Sequence, residues 1–390
     1  MADDPSPRES ARRDGDAPQL PALTGFRALA AAMVLVGHVE TGRDVGSAWI
    51  VRYGWTGVNL FFALSGFLFT RLYFDRFTAG TVSLRSYFLK RAFRVLPLAW
   101  ALVLLAVVTS RDYRLADVLT HLTLTHAYFE SYRFSINPPM WTLCLEESFY
   151  LAVPPLFVAL GAIERARPTA SVVARVAAVG VCLALLTEAG IAITADLLNL
   201  KRSLTGSWDN GLWVMTLTGR FSDFACGILA GVFALRAPTS RWLRHPAGAT
   251  ALFALGAAVW WGAARWIETR GGPTTAGSFA GYQLVTRLFS AGGALMILGL
   301  VGRSWVTPAF ASRPVVYAGR ISFALYLVQD TWIDRVALSH TLSQRVRGHI
   351  RHEVAVVLAL YLLTSVVAAL LHHGLEDPAQ RYLRRRFVRG

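Results

Sequence analysis

The sequence predicts an all-α fold: a polytopic transmembrane helical bundle of about ten spans with both termini cytoplasmic. Three observations predict it. Hydrophobic residues make up 54% of the 390 positions and charged residues only 16%. The mean hydropathy is +0.43, too apolar for a soluble chain of this length. Apolar runs recur from one end to the other, and arginines gather in alternate loops between them, the positive-inside pattern. The net charge of +15 would point to nucleic acid if it sat on one soluble face. Spread between apolar runs it reads as topology, so no nucleic-acid partner is expected. The expected surroundings are the lipid bilayer, in the cell (plasma or inner) membrane.

Residues 1–19 are polar and aperiodic and are expected to form a disordered cytoplasmic tail. They lack the basic start and small-residue cleavage site of a signal peptide, so the first span should stay uncleaved. The membrane domain is expected over 20–378, followed by a basic cytoplasmic tail at 379–390. Runs near 20 residues fall at 22–39, 56–73, 92–109, 140–162, 171–194, 212–235, 247–266, 282–301, 315–336 and 354–374. Residues 111–136 are too polar to span and predict an outer-side amphipathic or re-entrant piece. The loop after the second span carries Arg71, Arg76, Arg85, Lys90, Arg91 and Arg94, which sets the orientation. The stretch 337–353 dissents, with Arg345, Arg347 and Arg351 on the opposite side. Lys90 and Lys201 are the only lysines, and Arg, Ala, Gly and Val abound, a usage compatible with a GC-rich bacterial genome. Cys144, Cys182 and Cys226 lie in apolar runs, are read as packing residues and predict no disulfide.

Charges inside the spans need an explanation. Arg27 and His38 are eleven positions apart, roughly three helical turns, so they share one face about 16 Å apart along the axis. Such a pair must face protein or water. Either Arg27 is an interfacial anchor and His38 a hydrogen-bonded interior imidazole, or both are functional. Arg91 and Arg94, at i and i+3, point to one side of the third span. Two guanidiniums there either finish a basic loop or clamp phosphate. Asn137-Pro-Pro-Met-Trp141 opens the fourth span, with Glu146 and Glu147 one to two turns inside. Adjacent side chains diverge by ~100°, so at least one carboxylate should turn into the bundle, to meet an arginine or histidine. Arg220 is one candidate partner, and it could instead pair locally with Asp223. Ser322, Tyr326 and Gln329 share a polar stripe in the ninth span. His121 and His126 are poorly spaced as helical ligands, and no metal is expected. Phosphate loops, dinucleotide fingerprints and nucleophile elbows are absent.

Taken together these stretches resemble the acyltransferase 3 family of integral-membrane O-acyltransferases. The resemblance runs from Leu23 to about Tyr382. It rests on Arg27 and His38, on Gly57-Val-Asn-Leu-Phe-Phe-Ala-Leu-Ser-Gly-Phe67, on Arg91 and Arg94, on Asn137 to Tyr150, and on Ser322 to Leu327, all in the expected order. Thr24 and Asn59 stand where the family usually has Asp, and Gln329 where it has a late histidine. Many relatives carry a fused extracytoplasmic hydrolase-like domain, and none is expected here.

The resemblance implies transfer of an acyl group, often acetyl, from acyl-coenzyme A as co-substrate to a hydroxyl of a sugar, glycolipid or glycosylated, macrolide-type metabolite, with no permanently bound cofactor. In that reading Arg27, Arg91 and Arg94 hold the donor. His38 is the base, with Glu146 or Glu147 orienting it or pairing an arginine. Asn137, Trp141, Tyr326 and Gln329 are candidates for acceptor or oxyanion contacts. The rival class is a transporter or flippase whose buried charges line a path, although no internal repeat between halves is visible.

Overall fold

A computed structural model describes residues 20–40, 49–109, 112–205, 215–270, 279–335 and 350–388; the predicted N-terminal tail at 1–19 lies outside them. The long helices are α1 (Pro21–Glu40), α2 (Gly57–Thr78), α3 (Leu84–Thr109) and, after a short α4 (Leu115–Leu122), α5 (Trp141–Arg165). They continue with α6 (Val172–Thr205), α7 (Leu217–Arg236), α8 (Pro246–Glu268) and α9 (Phe279–Val301). The chain then forms α10 (Arg313–Arg320), α11 (Ser322–Arg335), α12 (Ile350–Leu371) and α13 (Asp377–Phe387). No strand occurs among the described residues, and nine stretches there are long and apolar enough to cross a membrane.

Two expectations need correction. The predicted span 315–336 is not one helix: the chain breaks at Ile321 between α10 and α11, and neither piece alone reaches span length. Second, the predicted tail boundary at 378/379 falls inside α13, which a one-turn π-helix (His372–Glu376) joins directly to α12.

At the centre, α2 packs extensively on α7. Gly66 and Gly227 make this possible. A Cβ at Gly227 would lie 1.9 Å from the Ala63 carbonyl oxygen, and one at Gly66 2.2 Å from that of Phe224, so the backbones touch as small-residue membrane interfaces do. Around this contact lies a buried polar knot. Arg220 Nε sits 2.6 Å from Asp223 Oδ2, and Arg220 Nη1 donates to Tyr282 Oη at 2.8 Å. Asp223 Oδ1 accepts from Asn59 Nδ2 at 3.2 Å and from Ser290 Oγ at 2.5 Å. Arg220 therefore answers Asp223 and not Glu146 or Glu147, because its i, i+3 neighbour is already buried beside it.

The polar stretch before α5 folds over the bundle end as α4 and short 3-10 turns, with Leu115 and Leu119 exposed on one side and Asp117 and His121 buried on the other. The His121 and His126 rings, both wholly buried, stack 3.8 Å apart at 10°. His121 Nδ1 lies 3.1 Å from Asp117 Oδ1, and Cys144 Sγ is 3.5 Å from His126 Nδ1. Burial, and after it the neighbouring His121, pushes His126 down to about 3. His121 is lowered by burial against the opposing pull of Asp117.

Candidate active site

A narrow cavity of about 90 Å³ is enclosed by α1, α2, α3, α5 and α11. Along α2 its wall runs from Val58 through Phe61, Ser65 and Leu68 to Leu72. Those 14 steps amount to about 21 Å of helix axis. Volume and length together describe a slot wide enough for an extended chain and too thin for a sugar ring.

One end of the slot is cationic. Arg27, from the first turns of α1, and Arg94, from α3, line it; neither forms a hydrogen bond or ion pair among the described residues. The ionisable neighbours of Arg27 are Arg94, Glu146, Tyr150 and Glu376. Arg91 also lines the slot but is boxed in by rings. Its guanidinium lies 4.8 Å from the Phe69 ring centre and 5.5 Å from that of Tyr73, and Nη2 donates to Tyr73 Oη at 3.0 Å. The i, i+3 spacing thus brings both arginines to one wall and gives them different surroundings.

Of the adjacent carboxylates, Glu146 faces the slot. It accepts from Tyr150 Oη and, at 3.5 Å, from Ser65 Oγ. Glu147 is turned off the lining, with Oε1 buried and without a hydrogen bond and with Glu146 and Arg91 as its charged neighbours. The ~100° divergence of neighbouring helical side chains separates the two.

Tyr326 lines the slot beside Ser322, its ring edge-on to Phe61 at 5.8 Å. Gln329, one turn further along α11, is wholly buried with neither amide atom bonded among the described residues. Asn137 Nδ2 donates to the Leu327 carbonyl at 3.0 Å, tying the start of α5 to α11. Trp141 stands behind the lining, edge-on to Phe62 at 6.5 Å. His38 does not line the slot. The far end, at Val58, packs with Ala31 and Val34, and His38 follows Val34 by four residues, about 6 Å of rise. Sequence reasoning missed Tyr73, Tyr150 and Glu376. Tyr150 was readable as the i+4 neighbour of Glu146, whereas Tyr73 and Glu376 come from distant segments with no local signal.

A family model described as an acyltransferase domain matches residues 20–373, nearly the whole described chain. The protein belongs to the acyltransferase 3 family. A Staphylococcus aureus (strain COL) protein provisionally named an O-acetyltransferase is 28% identical over 160 residues, 36% of this chain and 25% of the relative. The peptidoglycan O-acetyltransferase OatA of Listeria monocytogenes is 26% identical over 156 residues, 35% of this chain and 24% of OatA. A Bacillus subtilis protein provisionally named a peptidoglycan O-acetyltransferase, YrhL, is 27% identical over 192 residues, 44% of this chain and 29% of the relative. The aligned part thus spans only about a quarter of the length of these curated relatives. No solved structure matches the chain.

Proposed function

We propose that this acyltransferase is a membrane O-acetyltransferase that moves an acetyl group from acetyl-coenzyme A to a hydroxyl of a carbohydrate or glycosylated acceptor. The observation that carries the reading is the shape and charge of the slot. It is thin, about 21 Å long, and cationic at the end where Arg27 and Arg94 stand unpaired. A thioester on a flexible arm with phosphates at its other end is complementary to that form. The relatives named for O-acetylation support the chemistry.

In this reading the donor enters from the cytoplasmic side, its arm extended along α2, so that the thioester carbonyl arrives beyond Val58. The acceptor hydroxyl is a weak nucleophile, and the His38 imidazole takes its proton as the oxygen attacks the carbonyl. The tetrahedral oxyanion needs hydrogen-bond donors, and the free amide of Gln329 and the hydroxyl of Tyr326 are on the α11 face that continues from the slot. Collapse of the intermediate breaks the carbon–sulfur bond. The thiolate leaves with the proton from the imidazolium, and the acetyl ester remains on the acceptor. Glu146, held by Tyr150 and Ser65, balances the cationic end.

The test is incubation of purified protein with acetyl-labelled acetyl-CoA and a panel of glycosylated acceptors. Label appearing in ester linkage, or release of free CoA, is expected. His38→Ala should lose transfer at unchanged membrane abundance, and retained transfer in that variant removes the base assignment. Movement of acceptor across vesicles without CoA release would instead make the protein a transporter.

A further inference from the structure

The slot accepts an arm but not a nucleotide, so the other end of the donor must rest on protein outside it. We propose that α13, packed on the start of α3, is the docking surface for the phosphorylated nucleotide end of the acyl-CoA donor. This rests on the acyl-CoA reading above.

The last apolar stretch runs from Val357 to Phe387, 31 residues. At 1.5 Å per residue it is about 46 Å long, against a hydrocarbon core of roughly 30 Å. The excess of about 16 Å corresponds to roughly eleven residues, the length of α13. This helix therefore stands beyond the hydrocarbon, and its contacts fix it at the cationic end of the slot. Gln380 Nε2 donates to the Arg94 carbonyl at 3.5 Å, and the Phe387 ring lies 5.9 Å from Phe93. Glu376, buried at the head of α13, accepts from Gln380 Nε2 at 3.2 Å and pairs with His372 Nδ1 at 2.8 Å; it is also one of the charged neighbours of Arg27.

The charge on this extension is one-sided. Arg381 is paired with Asp377 at 2.9 Å, but Arg385 and Arg386 are exposed with no partner among the described residues. On α3, Lys90 shares the stripe of Arg94 at i, i+4. Guanidinium forks suit phosphate, and these stand past the slot entrance where the phosphates of a threaded donor would emerge. A helix built to lie on anionic lipid would turn its apolar residues to the bilayer; here Phe387 is turned against α3.

The experiment compares acetyl-CoA with S-acetylpantetheine, a donor without the nucleotide, as a ratio of kcat/KM values on the full-length protein. In the variant Arg385→Gln/Arg386→Gln this ratio should fall at least about tenfold. In the unaltered protein, raising salt from about 50 to 500 mM should lower the same ratio, a readout independent of any folding defect. A ratio within about twofold of the unaltered protein, or one insensitive to salt, overturns the proposal. So does a loss confined to vesicles containing phosphatidylglycerol and missing in phosphatidylcholine, which would assign the arginines to lipid. If the unaltered protein uses S-acetylpantetheine but shows no preference for acetyl-CoA, only the docking surface fails. If it consumes neither, the acyl-CoA reading itself fails.

Discussion

Arg91 and Arg94 differ by one turn of helix and by the company they keep. Arg91 spends its charge on ring faces and the Tyr73 hydroxyl, so Arg91→Lys should be costly despite keeping the charge, since an ammonium cannot stack as a planar fork does. Arg94 has no such commitment. Losing a charge-assisted hydrogen bond to a phosphate is worth about 1.5–3 kcal/mol, so Arg94→Gln should raise the KM for acetyl-CoA by about 10–100-fold. Steady-state kinetics separate the two: Arg91→Lys lowers folded protein, Arg94→Gln leaves abundance unchanged and weakens the donor. The i, i+3 spacing announced that both point one way. It could not announce the rings around Arg91, because Phe69, Tyr73 and Tyr150 come from other helices. The same holds for Glu146 and Glu147. Their divergence was readable, and which of them meets the slot depended on how α5 is rotated against α2 and α3.

Helices meet through two devices that local patterns show incompletely. The close approach of α2 and α7 was half legible, since the small residues of the second span suggested tight packing, but the partner Gly227 lies some 160 residues downstream. The Arg220–Asp223 pair in the same interface is fully buried. Asp223→Ala leaves an uncompensated guanidinium, a loss of about 3–5 kcal/mol, so the variant should unfold at markedly lower temperature in detergent. The double replacement Arg220→Met/Asp223→Leu should recover much of it. The segment 112–137 was recognised as a non-spanning piece, yet its histidine stack was invisible to spacing. Its pH behaviour follows from the direction of the shifts. His126 is held down to about 3, whereas the opened segment would titrate near 6.5. The opened form therefore binds more protons between those values. Its stabilisation is complete above about 6.5 and falls away as pH drops towards 3. Amides of 115–128, corrected for intrinsic rates, should exchange faster at pH 4.5 than at pH 7. His126→Phe should flatten that dependence.

At the scale of the whole molecule the decisive quantity is the parity of crossings. The nine long stretches alone would leave the two chain ends on opposite sides. The broken pair α10 and α11 changes this if it crosses as a unit. It covers residues 313–335, about 33 Å at helical rise, enough for a hydrocarbon core of roughly 30 Å. It also packs along α1, where a Cβ at Gly319 would fall 1.9 Å from the Thr24 carbonyl oxygen. Hydropathy could find this crossing as one run, but the helix break at Ile321 depends on how the chain turns over α1. Ten crossings return the chain to its starting side, so that Arg94 of α3 and the arginines of α13 share one compartment with the N-terminus. That is the geometry a soluble, polyanionic donor requires. Reporter fusions at the two ends should therefore both give a cytoplasmic signal, and a single cysteine at position 342 should be labelled by an impermeant maleimide added outside intact cells. Opposite signals from the two ends would make α10–α11 a hairpin that does not cross, with α12 then running the other way and α13 on the wrong side of the membrane from the mouth that it is proposed to serve.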